Sequence, residues 1–217
     1  NTTDYKDENT VNELQGVLSH KTSLPMKKDG IKYSKLFSPN FMLRYSPGHM
    51  RNLKSDGVFL NYSNLYALNK TSEVESGLSA ILGIDYNINE KNGGIETEKL
   101  SLSLGQVFSN EENSHLPAQS SLDQKTSDLV GKINYNFSEI GKIDYQFALD
   151  HNLNDFNYND VSTILNFGKF EFNLDYLEQQ KHIGEEHYAS AGLSLNFNDN
   201  NKLSFKTKKN FKTESTE

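Results

Sequence analysis

Cysteine is absent from the 217 residues, which removes disulfide frameworks and thiolate metal sites and leaves the redox compartment unspecified. Long apolar runs are absent too. None approaches the roughly 18 residues of a transmembrane helix, so a helical membrane protein is excluded. The polar start Asn1–Thr10 has none of the basic and apolar stretches of a signal peptide. A basic excess is also lacking: 22 Lys and Arg stand against 29 Asp and Glu, a net charge of −7. Binding nucleic acid requires cations to neutralise phosphate, so no nucleic-acid partner is expected. Beginning without Met, the chain reads as an excerpt of a longer precursor whose export signal, if any, lies upstream.

What is present is aromatic and alternating. Hydrophobic residues make up only 35% of the chain, and 13 Phe and 11 Tyr carry much of that share, a composition suited to strands. From Ser76 onward Leu78, Ala80, Leu82, Ile84, Tyr86 and Ile88 share one face, while Glu75, Gly77, Ser79, Gly83, Asp85 and Asn87 share the other, with Ile81 the single interruption. The pattern returns with Leu100, Leu102, Leu104 and Phe108; with Leu129, Ile133, Tyr135 and Phe137 against Asp128, Lys132, Asn134 and Asn136; and with Ile143, Tyr145, Phe147 and Leu149 against Lys142, Asp144 and Gln146. It recurs around Phe170–Tyr176, Ala189–Phe197 and Leu203–Phe211.

Alternating segments of about ten residues fit tilted strands that cross a bilayer, apolar side to lipid and polar side to a wet lumen; soluble strands are nearer 5 or 6 residues. The connections alternate as well. Ser138–Gly141, Phe167–Lys169 and Asn198–Asn201 are turn-length, whereas Asn110–Thr126 and Glu178–His187 are long and polar. Short periplasmic turns and longer outer loops give that rhythm. The strand after Ser127 would descend to the periplasm, and the one after Gly141 would ascend.

The first third is plainer. Pro39 opens a strand at Phe41–Tyr45 that Pro47-Gly48 ends, and Val58–Tyr62 offers another. Thr10–Leu18 has capping-box spacing for a helix, but a loop or frayed strand is the preferred reading. The expected fold is therefore all-β, an incomplete antiparallel transmembrane β-barrel of roughly ten strands from a larger one. It would form a single domain over residues 1–217, with 1–34 a loop or weak strand, 35–212 barrel strands and 213–217 a loop or truncated end. An arc of this kind has two open edges, which hydrocarbon does not tolerate, so further strands must close it.

Chemistry-bearing motifs fall short. His182–His187 (HIGEEH) is one residue too long for either H-E-x-x-H or H-x-x-E-H. Asp150–Asp155 (DHNLND) starts like a calcium loop, but Asp155 stands where glycine is needed and Val161 where glutamate is needed. Asn92–Gly94 reads as a turn, and Glu185-Glu186 has no partner base. No catalytic residue, cofactor site or metal site is assigned, and no enzyme is expected.

Ordered strings say more. Leu43–Gly48 (LRYSPG), Asn64–Lys70 (NLYALNK), Glu73–Tyr86 (EVESGLSAILGIDY), Leu102–Phe108 (LSLGQVF) and Ser120–Ile133 (SSLDQKTSDLVGKI) follow one another in an order that resembles the C-terminal barrel of the lipopolysaccharide-assembly (organic solvent tolerance, LptD) family. The matching positions are Pro47 and Gly48, Glu75 and Gly77, Gly105 and Gln106, and Ser127, Asp128 and Gly131. The resemblance implies lipopolysaccharide as cargo, delivered by periplasmic bridge proteins to a barrel that holds an LptE-like plug lipoprotein in the Gram-negative outer membrane, for release into the outer leaflet. Relatives often carry Asp-Arg where this chain has Ser72 and Glu73, so an ion pair built on that Arg is not carried over.

On this reading Glu75, Asp85, Asp128, Lys132 and Asp144 line the lumen, and Leu78, Leu82, Ile84, Leu102, Leu104, Tyr135, Phe137 and Phe147 meet outer-membrane lipid. The alternatives are a general outer-membrane porin or channel, which shares every physical feature above, and a β-rich binding module outside the membrane.

Overall fold

The structure is a computed structural model and describes residues 14–198 and 201–216. Eleven strands form one antiparallel sheet: β1 (Leu18–Ser23), β2 (Met26–Asp29), β3 (Tyr33–Ser46), β4 (Gly77–Asn92), β5 (Ile95–Ser109), β6 (Leu129–Asn136), β7 (Gly141–Leu149), β8 (Phe156–Phe167), β9 (Phe170–Gln179), β10 (His187–Asn198) and β11 (Asn201–Asn210). From β3 to β11 each strand pairs with its neighbour in sequence. The sheet is all-β and open, with β1–β2 at one edge and β11 at the other. No helix of the described residues is long and apolar enough to cross a membrane, which says nothing of crossing by strands.

β1 and β2 act as one interrupted edge strand, since both pair with β3: Ser23 faces Asn40 and Met26 faces Phe37. The gap at Leu24-Pro25 lies beside Pro39, whose carbonyl accepts from the Leu24 N–H at 3.0 Å. In an extended strand the N and O of one residue point to the same side. The N–H that Pro39 lacks is therefore missing toward the interruption, where a ladder bond is expendable. Pro39 thus sits inside a fourteen-residue strand and does not open one. The alternation around Phe41–Tyr45 continues through it in both directions.

Val58–Tyr62 is not a strand; it belongs to the 47–76 loop between β3 and β4. Several backbone groups here are met by side chains. The Val58 N–H donates to Asp56 Oδ1 at 3.2 Å, and those of Asn61 and Ser63 donate to Asn64 Oδ1 and Asn61 Oδ1 at 2.9 Å each. Local Asx bonding competes with a sheet ladder and wins here. Of the helix considered over Thr10–Leu18, residues 10–13 lie outside the described residues, and Leu18 begins β1.

The long connections, residues 47–76, 110–128, 150–155 and 180–186, all fall at one end of the sheet, and tight turns fall at the other. Asn92-Gly93-Gly94-Ile95 is such a turn, with φ of +58° and +86° at the two glycines, the left-handed pair of a two-residue hairpin.

Register fixes the faces. Across β3, β4 and β5, Met42–Ile81–Val107 and Asn40–Gly83–Gly105 form rows on one face, and Phe41–Leu82–Gln106 a row on the other. Long loops cover the first face at their own end. There Met42, Ile81, Val107, Val130, Ala148 and Tyr158 bury against Met50, Leu53, Leu60 and Leu65 of loop 47–76 and against Leu116, Leu122 and Ile183. Ile81, the one break in the alternation of β4, is completely buried in this core. Farther from the loops the same face turns polar, with Ser103, Lys132, Asp144, Gln146 and Asp160 in facing positions.

Candidate functional site

The loop-covered face is where the chain concentrates its buried polar chemistry. It is built on two glycines. Gly83 and Gly105 face each other across β4 and β5. A Cβ on Gly105 would collide with Cδ2 of Leu65, and one on Gly83 would collide with the Tyr66 hydroxyl oxygen and lie 2.7 Å from the Leu104 carbonyl. The missing side chains form a dimple into which the 47–76 loop presses Leu65 and Tyr66. Leu65 is fully buried there.

Asp85, one alternation further along β4, fastens the same loop. Its Oδ1 accepts from Tyr62 at 2.7 Å and from Ser103 at 2.6 Å, and its Oδ2 accepts from Asn40 Nδ2 at 2.7 Å. Burial, and then the bond to this carboxylate, push the Tyr62 hydroxyl far above the usual tyrosine range. Burial, with Asp85 adding to it, pushes Tyr66 up to about 12. Both tyrosines stay protonated.

The end of the loop is tied by charge. Arg44 on β3 donates from Nε to the Leu68 carbonyl at 2.6 Å and from Nη2 to the Glu75 carbonyl at 2.8 Å, and Nη2 lies 3.1 Å from Glu75 Oε2. Oε1 of Glu75 accepts the N–H groups of Lys70 and Thr71. Lys70 is only 4% exposed, and burial lowers its pKa to about 8 despite the nearby Glu75. Nearer solvent, Arg51 pairs with Glu73 at 2.7 Å. A loop ion pair therefore exists here with its acid at position 73.

A second cluster joins the remaining long loops. Asp128 Oδ2 lies 2.9 Å from His182 Nε2 and 3.0 Å from Asn157 Nδ2. Ser127 Oγ accepts the Val107 N–H at 3.0 Å, and Gln119 donates to the Ile183 carbonyl at 2.6 Å. The two histidines of HIGEEH separate: His182 turns to Asp128, whereas His187 stacks edge-on to Tyr176 on the opposite face. Asp150 and Asp155 hold the Lys181 ammonium at 3.5 and 2.8 Å.

A family model, LptD (LPS transport system D), matches residues 1–203. The chain belongs to this family. Its work accordingly lies in lipopolysaccharide transport and assembly, in a transport family and not an enzyme family, whose members are outer-membrane proteins of Gram-negative bacteria. A search of curated proteins finds no sequence match.

Within this chain, the motif positions divide by face. Gly105, Glu75, Ser127 and Asp128 serve the loop-covered core. Gln106 is on the opposite face and spends its amide on the Ser127 carbonyl at 2.7 Å. Gly131, also on the opposite face, lies under the ring of its cross-strand partner Phe147. Pro47 and Gly48 end β3, Gly48 with φ +97°, and Gly77 opens β4 with φ +106°.

Of the residues expected to line a lumen, Glu75 and Asp128 are buried in the two clusters and Asp85 is saturated by hydrogen bonds. Lys132 and Asp144 occupy the polar stretch beyond the loops, where Asp144 meets Lys142 at 2.9 Å. Leu78, Leu82, Ile84, Leu102, Leu104, Tyr135 and Phe147 lie on the uncovered face, and Phe137 follows the end of β6 with its ring edge-on to Tyr135 at 4.8 Å. Sequence reasoning missed Arg44, Tyr62 and Asn157. Their partners are 31, 23 and 29 residues away, and no local pattern marks them.

Proposed function

We propose that this chain forms an arc of an outer-membrane barrel that passes lipopolysaccharide into the outer leaflet, as the barrel half of a barrel–plug translocon served by an LptE-like lipoprotein and periplasmic bridge proteins. The observation that supports it most is the contrast between the two faces of one sheet. The uncovered face presents large exposed side chains in runs of adjoining strands, Phe41, Leu43, Tyr45 and Leu82 on β3 and β4, and Leu174, Leu193 and Phe205 on β9, β10 and β11. A water-facing surface rarely carries a continuous apolar field of that size, whereas lipid accommodates it at no cost. The other face is mostly polar where loops do not cover it, as a wet interior demands.

In this reading Leu78, Leu82, Ile84, Leu102, Leu104, Tyr135, Phe137 and Phe147 contact lipid, and Lys132 and Asp144 face the lumen. Loop 47–76 would form part of the outer closure of the barrel. Glu75 and Asp128 would then serve the barrel by holding its loops, with Asp85 pinning the same closure from the wall.

Labelling at single introduced thiols is a direct test, and these 217 residues add no background cysteine. Single cysteines at Leu82, Leu104 and Asp144 in the full-length protein, in outer-membrane vesicles, would carry an environment-sensitive dye. The expected result is quenching by lipid-borne spin labels at Leu82 and Leu104 and by aqueous iodide at Asp144. Iodide quenching at all three positions would overturn the membrane placement and favour a β-rich module outside the membrane.

A further inference from the structure

We propose that the long-loop end of this sheet carries a pH-sensitive clasp, in which protonated His182 ties the loop after β9 to the start of β6 and loosens it on losing its proton. The geometry is that of a latch across two strands. The 180–186 loop reaches back past β8 and β7 so that His182 Nε2 comes within 2.9 Å of Asp128 Oδ2. Asp128 is 3% exposed and Asn157 fully buried. Asn157 holds the same carboxylate oxygen at 3.0 Å, and its carbonyl accepts the Gln180 N–H at 2.9 Å. Gln119 of the β5–β6 loop grips the next residue, Ile183, at its carbonyl. Ile183 itself is part of the hydrophobic core.

The charged groups that face the imidazole favour its cationic form. Asp128, Asp123 and Asp150 approach it from the start of β6, the β5–β6 loop and the β7–β8 loop. Asp150 is shared with Lys181 and His151, and Lys181 is drawn to Asp155 as well. The bond to Asp128 outweighs desolvation and raises the His182 pKa above the ordinary histidine value. Asp123, by contrast, is raised chiefly by burial.

For a group whose pKa is raised on folding, the added stability is complete below the unfolded pKa and disappears as pH climbs through the folded one. Above it, a neutral imidazole can still donate one hydrogen bond from Nε2. The positive charge drawn to Asp128, with Asp123 and Asp150 nearby, is gone, however, and its attraction across the loops goes with it. The clasp rests on the loop geometry and the charges around His182, and is independent of the lipid-export reading.

The test is hydrogen exchange of segment 178–187 in the full-length protein in outer-membrane vesicles, from about pH 5 to about pH 9 to bracket histidine titration, with rates corrected for intrinsic exchange. Protection should fall as pH rises, by about tenfold for each unit by which the folded His182 pKa exceeds the unfolded one. In His182→Gln, which keeps a donor but cannot carry charge, protection should be flat across the range. Flat protection in the unsubstituted protein, or an equal fall in His182→Gln, would overturn the clasp. A ring titration of His182 by NMR in the unsubstituted protein needs no variant. A midpoint at or below the ordinary histidine value would overturn it too.

Discussion

The guanidinium of Arg44 and the carboxylate of Glu75 meet at 3.1 Å with side chains 2% and 6% exposed, joining the last turn of the 47–76 loop to the strand that precedes it. A buried pair of this kind adds little over a well-packed apolar replacement, but either partner left alone is expensive. Arg44→Met and Glu75→Leu should each destabilise the protein by about 3–5 kcal/mol. Glu75→Leu should be the worse, because the N–H groups of Lys70 and Thr71 lose their acceptor along with Arg44. The double variant should cost about 1–3 kcal/mol less than the sum. Urea unfolding from vesicles checks this, and simple additivity would show that the two groups do not act as a pair.

The glycine dimple makes a second prediction. Gly105→Ala places a methyl group against Leu65, and Gly83→Ala places one against the Tyr66 hydroxyl and the Leu104 carbonyl. Overpacking costs about 1–3 kcal/mol. Gly105→Ala should be the milder, since Leu65 can shift while the Leu104 backbone cannot. Trimming the knob in Gly105→Ala/Leu65→Ala should recover part of the packing strain but lose the burial of Leu65. Protease susceptibility of loop 47–76, measured beside overall unfolding, would reveal whether the loop lifts before the sheet melts; unchanged susceptibility in both single variants would refute the dimple's role.

Much of this architecture was legible because a strand repeats every two residues. Leu78 to Ile88 and Ile143 to Leu149 declare a face wherever they are read, and the short-long rhythm of connections orders the strands. The closure was not legible. Val58, Leu60 and Tyr62 alternate like a strand, yet Leu60 is buried in the core and Tyr62 bonds to Asp85. Alternation reports which side is apolar without saying whether a sheet or a loop supplies the burial. Ile81 was the visible clue that the polar face becomes apolar at one end. Met42, Val107 and Val130 repeat it in neighbouring strands. Asp128 and His182 are 54 residues apart, and only the register of the four strands β6 to β9 brings them together.

Face assignment can be tested by charge. Leu82 is half exposed on the uncovered face, whereas Gln146 faces Lys132 and Asp160 on the polar one. Leu82→Arg should weaken folding into vesicles by up to about 2–4 kcal/mol, the cost of arginine against lipid near mid-depth. Gln146→Arg should be nearly neutral, since Asp160 is available as a partner. Asp85→Arg is a poor control, because it would also release Tyr62, Asn40 and Ser103. Equal folding efficiency for Leu82→Arg and Gln146→Arg would remove the basis for assigning one face to lipid.

Lys70 gives a pH dependence of opposite sign to that of the histidine clasp. Its pKa falls to about 8 on folding, chiefly through burial, so between that value and the ordinary lysine range the unfolded chain binds the extra proton. Stability must then rise with pH across this window, by at most about 1.4 kcal/mol per pH unit for one proton. Below it the cost of burying the ammonium is fully present. Lys70→Met keeps the length of the side chain and removes the charge, so it should stabilise the loop at neutral pH and abolish the alkaline rise. Unfolding free energies of the two proteins, compared from about pH 7 to about pH 10 around the lysine transition, should converge as pH increases. Parallel curves would mean that the Lys70 ammonium reaches water in the folded protein.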